Sequence, residues 1–236
     1  MNEVIEFLDL YNKLEQVLKG RGSYYNDRYE SPVLRYQNSA EGKRYREEIE
    51  TIRAVRNLLV HVPLMDGTNP VTPSPSLNAK LREIVNSVQN SKTAIDLSTW
   101  AEHLITATLD SNVYDVMRTM ESKGFSHVPV MNHDRMMGVF SKGTFFTYTI
   151  SKGFNSLSPD ITLAAMRDLL PVRNHSSEYY EFAAEDTSKE EIVQRFDVSY
   201  KRNRSRLAAI FVTRDGNPNQ ELLGMITPWD VLGDKS

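Results

Sequence analysis

Apolar residues recur at helical spacing through the first third of the chain. Ile5, Leu8, Tyr11, Leu14 and Leu18 fall three or four residues apart in "MNEVIEFLDLYNKLEQVLKG", which predicts an amphipathic helix ending near Gly20. A second stripe, Tyr45, Ile49, Ile52, Val55 or Arg56, and Leu59, predicts a helix from about Lys43 to His61, with Arg44, Glu47, Glu48 and Glu50 on other faces. The third stripe is Leu77, Leu81, Ile84, Val85 and Val88, in a helix that Ser76 can cap. Between the first two helices, "RGSYYNDRYESPVLRYQNSAEG" is polar, rich in Tyr and Arg, and holds Pro32 and several turn formers. It reads as a long connection with little regular structure. "VPLMDGTNPVTPSPS" ends the second helix. Residues 1–90 therefore read as an all-helical domain.

From about Leu97 the pattern changes to short β-branched runs alternating with short helices, the signature of an α/β or α+β unit. This second half also repeats itself. "SHVPVMNHDRMMGVFSKGTFF" can be laid on "SRLAAIFVTRDG...ELLGMITPWDVL": strand, turn, a strand ending Gly-apolar-apolar-Ser/Thr, then helix. An amphipathic helix precedes each copy, with Val113, Val116, Met117 and Met120 in the first and Ile192, Val193 and Phe196 in the second. Further upstream "LSTWAEHL" pairs with "ITLAAMRDLL". Two like modules packed pseudo-symmetrically are implied over residues 91–236, divided at about residue 155. The expected fold class is α+β, an all-α bundle followed by a pair of α/β modules.

Composition changes this picture little. With 236 residues, 40% hydrophobic and 25% charged, the chain can bury a sizeable core in two domains. A formal net charge of -3 provides no whole-molecule attraction to nucleic acid or anionic lipid. The absence of cysteine excludes a disulfide framework, a thiolate metal site and a thiol nucleophile. The N-terminus carries acidic residues where a signal peptide needs basic ones, and no run approaches the roughly 20 apolar residues of a membrane span. A soluble, cytoplasmic protein without membrane association is expected.

Candidate chemistry is sharpest in "GMITPWDVL". Gly224 to Thr227 reads as a strand end, Thr227 as a helix cap, Pro228 as the first helical residue and Asp230 as a first-turn acid. Two interpretations stay open. Thr227 and Asp230 can simply stabilise the helix start, by roughly 0.5–2 kcal/mol. Alternatively, free N–H groups at the junction can face an anion while the carboxylate accepts from ribose hydroxyls.

The order of strand, helix, strand and "G-apolar-apolar-T-x-x-D", present as a tandem pair, resembles a pair of CBS domains, a Bateman module. That resemblance implies a regulatory sensor with an adenosine nucleotide (AMP, ADP, ATP or a relative) between the repeats. Thr227 and Asp230 match the family's phosphate-side hydroxyl and ribose-binding carboxylate. In the first repeat Gly138 and Ser141 are kept, but Thr144 stands where the family has the aspartate, so one competent site and one degenerate site are expected. The family pattern also implicates His127, Val128 and Pro129 in "SHVPV", although His127 fits equally well as a solvent-facing strand residue. The second copy departs to "SRLAA". Nearby "KRNRSR" supplies Lys201, Arg202, Arg204 and Arg206, either as solvated surface or as partners for ligand phosphates.

"RNLLVH", Arg56 to His61, closes the second helix. Five residues at roughly 100° each place Arg56 and His61 about 140° apart, so they share a face only if the helix ends near His61, as Pro63 suggests. A histidine at a helix C-terminus is also favoured by the helix dipole alone. Chemically, a His for proton transfer and an Arg for developing phosphorane charge suit metal-independent RNA cleavage. Arg56, Asn57 and His61, as Arg-Asn-x-x-x-His near a helix end, resemble the HEPN superfamily. The resemblance implies a small helical bundle, a homodimer that brings two motifs together, and often endoribonuclease activity with RNA as substrate. Tyr24, Tyr25, Arg28, Tyr29, Arg35 and Tyr36 either stack on single-stranded RNA or pack on the bundle.

The five histidines, His61, His103, His127, His133 and His175, show no metal-ligand spacing, and no metal is expected. No phosphate loop, nucleophile elbow or dinucleotide fingerprint is present. The leading expectation is a homodimeric nucleotide sensor controlling an endoribonuclease. The alternative is a non-catalytic ligand-binding regulator whose bundle serves dimerisation or partner docking.

Overall fold

Ser–Pro pairs start two of the helices in the first third of the chain. Ser31 accepts a hydrogen bond from Leu34 N at 3.2 Å and Pro32 opens the helix; Ser74 does the same for Leu77 N at 3.2 Å with Pro75. Each serine satisfies an N–H that a helix start leaves unpaired, and each proline occupies a position that needs no donor. The computed structural model describes residues 2–21, 30–64, 67–153, 157–202 and 205–232. The chain divides into two units, residues 1–93 with 186–194, and residues 94–185 with 195–236. The first unit thus takes in a second, later segment of the chain.

The first unit contains α1 (Glu3–Lys19), α2 (Pro32–Asn38), a 3-10 turn at Gly42–Tyr45, α3 (Arg46–His61) and α4 (Pro75–Asn90). Its core is built from Phe7, Tyr11, Leu14 and Leu18 of α1, Val33 and Tyr36 of α2, Ile49 and Ile52 of α3, and Leu81, Ile84, Val85 and Val88 of α4. Three expectations are corrected. The buried face of α1 is Val4, Phe7, Tyr11, Leu14 and Leu18, whereas Ile5 is 56% exposed, because Val4 and Phe7 continue the stripe better than Ile5 and Leu8. The stretch expected to lack regular structure contains α2. The cap of α4 is Ser74, two residues before Ser76, because Ser74 precedes the proline. Among these helices Glu41 is fully buried and pairs with Arg21 at 2.7 Å; the same guanidinium reaches the Val88 carbonyl.

The second unit begins with α5 (Ala94–Leu97), β1 (Thr99–Trp100), α6 (Val113–Lys123), β2 (His127–Asn132), β3 (Arg135–Ser141) and α7 (Lys142–Lys152). It continues with β4 (Glu178–Ala184), α8 (Lys189–Arg202), β5 (Arg206–Thr213), β6 (Gly224–Ile226) and α9 (Pro228–Leu232). Residues 189–194 of α8 are counted with the first unit and the rest of that helix with the second. β2 and β3 form an antiparallel hairpin, with a parallel bridge from Ala107 to Val130. β5 lies between parallel β4 and antiparallel β6, and β1 borders β6 in the order β1-β6-β5-β4. β4 was not expected from sequence, because "EYYEFAA" lacks clean alternation.

The repeats are completed crosswise. The lead-in to the first repeat pairs with the last strand of the second, through β1 and a hydrogen bond from Ala101 N to Leu223 O at 2.8 Å. The lead-in to the second repeat pairs with β3 of the first, where Val139 N donates to Leu170 O at 2.8 Å. Gly138 and Gly224 sit at these two crossings. A Cβ on Gly138 would overlap the Leu170 carbonyl, and one on Gly224 would overlap the Ser98 side chain.

An alanine at Gly138 would push against the Leu170 backbone, and one at Gly224 against the Ser98 side chain. Gly138→Ala and Gly224→Ala are each expected to lower unfolding free energy by about 1–3 kcal/mol in urea titrations. Gly20→Ala serves as the control, because its Cβ comes no closer than 3.4 Å to Val17 O. It should change stability by less than about 0.5 kcal/mol.

Candidate functional site

The two strand-to-helix junctions singled out by the sequence are built alike. Ser141, 1% exposed, ends β3 and caps α7: its Oγ accepts from Thr144 N at 3.2 Å, and Thr144 Oγ1 accepts from Ser141 N at 3.1 Å. This is a reciprocal capping box, which satisfies donors on both residues. After β6, Asp230 Oδ2 accepts from both Thr227 N and Thr227 Oγ1, each at 2.7 Å. Thr144 therefore occupies in the first repeat the place that Asp230 occupies in the second. Of these two side chains only Asp230 is charged, and its carboxylate keeps acceptor capacity beyond its two bonds to Thr227.

Beside the first junction lies a cluster whose acidic member was not foreseen. His127, the first residue of β2, does not face solvent; its side chain is 8% exposed, and Nε2 lies 3.0 Å from Glu178 Oε2 at the start of β4. A carboxylate only accepts, so Nε2 carries the proton and Nδ1 faces Ser126 Oγ at 2.9 Å. Tyr180 OH donates to Glu178 Oε1 at 2.9 Å, and His175 Nδ1 stands 3.7 Å from the same oxygen. The other nitrogen of His175 lies 3.2 Å from Leu170 O. Both imidazoles meet the Tyr180 ring edge-on, at centroid distances of 5.8 and 4.9 Å.

Burial alone would raise the Glu178 carboxyl, but the hydrogen bond with His127, helped by the nearby His175 and Ser141 side chains, outweighs it and holds the group far below the usual carboxylate range. Tyr180 is pushed up, first by burial and then by the charge and the accepting oxygen of Glu178. In sequence, Glu178 reads as an ordinary surface acid, because its partner His127 is 51 residues away.

The remaining candidates scatter. Pro129 is buried within β2, where its carbonyl accepts from Ala107 N at 3.0 Å. Arg206 is exposed at the start of β5, in register with Glu178 on β4. Arg204 lies outside the described residues, as do Tyr24, Tyr25, Arg28 and Tyr29. Tyr36 is fully buried in the core of the first unit, so it has no face to offer RNA; Arg35 pairs with Glu30 at 3.4 Å.

On α3, Arg56 and His61 do meet. Arg56 Nη1 lies 3.2 Å from His61 Nε2 and 3.5 Å from Asn57 Oδ1, and the helix ends at His61, with Val62 already extended. The helix end was the condition for the two to share a face, and the length of the arginine side chain closes the remaining gap. The Arg56 guanidinium also rests 5.5 Å from the centroid of the Tyr11 ring, a cation–π contact with a buried core residue. Among the described residues no group of three His, Asp or Glu side chains is arranged to hold a metal ion, and no helix is long and apolar enough to cross a membrane.

Residues 101–151 match the CBS domain family model. Among solved structures, the chain is similar to a Vibrio cholerae protein designated acetoin utilization protein (AcuB), with 18% identity over 61% of this chain and 89% of that one and a TM-score of 0.45. It is also similar to CBSX2 in complex with AMP, with 16% identity, coverage of 60% and 94%, and a TM-score of 0.42. A third is Hypoxic Response Protein I with two coordinated zinc ions, with 14% identity, coverage of 61% and 100%, and a TM-score of 0.41. No curated protein matches the sequence.

The depressed Glu178 carboxyl gives a signed pH dependence. Above the 4.5 of an unperturbed glutamate both folded and unfolded states are ionised, and the full stabilisation is present. As pH falls below that value the unfolded chain takes up the proton first, so stability declines by up to about 1.4 kcal/mol per pH unit. The difference between wild type and Glu178→Gln should therefore shrink from about pH 4.5 downward in denaturant titrations. Taking the difference cancels other carboxylates such as Glu41, which burial pushes up.

Proposed function

We propose that this chain, which carries a CBS domain at residues 101–151, is a regulatory protein that senses an adenosine nucleotide at the Thr227–Asp230 junction. The observation that carries this reading is the inequality of the two junctions: Asp230 supplies a carboxylate where the first repeat has Thr144. A carboxylate can accept from the two vicinal hydroxyls of a ribose, and a neighbouring hydroxyl can join the phosphate side. Occupancy of one site per chain by AMP, ADP or ATP follows. Regulation requires that the nucleotide bind two arrangements of the protein with different affinity. The helical unit is the output, working as a homodimer.

A second reading concerns that output. The 3.2 Å approach of Arg56 to His61, on the exposed end of α3, supports a HEPN-type endoribonuclease in which the pair acts on RNA without a metal. The alternative is a bundle that only dimerises or docks a partner.

Calorimetric titration with AMP, ADP and ATP should show one site per chain, and saturation at about 100 times Kd should stabilise the protein by about 2.7 kcal/mol. Asp230→Ala should abolish binding. Since Asp230 also caps, this variant is expected to lose roughly 1 kcal/mol of stability as well. Lost stability with unchanged affinity would leave Asp230 as a cap only.

For the output, purified protein is incubated with mixed RNA, with and without nucleotide. Cleavage should fall at least a hundredfold in both Arg56→Ala and His61→Ala. Cleavage that survives both substitutions, or that never occurs, favours the non-catalytic regulator.

A further inference from the structure

The cluster around Glu178 is arranged unlike a surface ion pair. Its carboxylate is gripped by donors from two strands of the second unit, His127 of β2 and Tyr180 of β4, and His175, from the segment before β4, stands 3.7 Å from it. The side chains of His127, His175 and Glu178 are only 8%, 4% and 9% exposed. The Ser141 hydroxyl, at the cap of α7, lowers the Glu178 carboxyl further. Gly143, in the first turn of α7, lies close to this carboxylate: a Cβ built on it would stand 3.8 Å from Glu178 Oε1, in ordinary contact. Buried donors that converge on one point from several elements form a binding cage, and the group inside it is an anion.

We infer that this cage is an anion site in the first repeat which the chain fills with its own Glu178 carboxylate, and that its ligand class is a small carboxylate. The degenerate junction is thus occupied from within. Besides lacking an aspartate at position 144, the first repeat holds an internal anion tethered through β4. An external anion enters only by displacing Glu178 from His127 and Tyr180, whereas the second junction has no such occupant among the described residues. The inference stands apart from the nucleotide reading, because it concerns a different junction and a different probe.

Chemical rescue tests it. Glu178→Ala removes the equivalent of one acetate and leaves the donors in place. The full-length variant is melted at pH 7 in sodium chloride, sodium formate or sodium acetate at equal ionic strength. It should melt below wild type in chloride and recover by roughly 2–4 °C in acetate or formate relative to chloride, while wild type shows no such selective gain. The recovery should persist in Glu178→Ala/Asp230→Ala, which separates it from nucleotide binding. No selective recovery in the variant, or an equal gain in wild type, overturns the inference. If Glu178→Ala does not fold, Glu178→Gln keeps the volume without the charge. It should melt below wild type at pH 7, and an unchanged melting temperature would show that the cage does not require an anion.

Discussion

Crosswise backbone pairing is the constraint on which the second unit depends. Each repeat supplies only part of its own sheet: β3 needs the carbonyl of Leu170, and β6 needs β1. Unpaired N–H and C=O groups in a buried position cost more than the net gain of making the bond, so neither repeat has an independent low-energy end. This accounts for the two glycines at equivalent positions, since only a residue without Cβ lets the lead-in come close enough. It also places the two junctions at equivalent points, because each follows directly from the strand so completed.

The electrostatics of the repeats diverge within that shared frame. At one junction the carboxylate is local, Asp230, three residues after the cap it serves. At the other it arrives from β4, and the local residue is the neutral Thr144. A carboxylate therefore lies at or beside each junction, but only Asp230 belongs to the junction's own turn.

How much of this was legible depends on the distance over which each feature is determined. The junctions are local: Gly138, Ser141 and Thr144, like Gly224, Thr227 and Asp230, satisfy one another within a few residues, and their pattern announces them. α2 was also legible in principle, since Ser31–Pro32 carries the same signal as Ser74–Pro75, but the polar surroundings hid its buried Val33 and Tyr36. β4 and Glu178 were not legible, because their meaning lies in His127, Tyr180 and the parallel partner β5, which come together only in the fold. The meeting of Arg56 with His61 was legible only as a condition, that the helix end near His61, which it does. Helical angles describe Cβ directions, whereas a guanidinium lies several bonds further out.

The contact between Arg56 and Tyr11 gives that exposed pair an anchor in the interior. The Tyr11 ring belongs to the packed core of the first unit, and the guanidinium that reaches His61 rests against it. A side chain as long as arginine would otherwise sample many rotamers, at an entropic cost of about 2 kcal/mol to fix one. Here the aromatic floor restricts the sampling in advance, so the alignment of the surface pair becomes a readout of how tightly the helices beneath it are packed. Loosening that interior, without touching Arg56 or His61, would set the pair adrift.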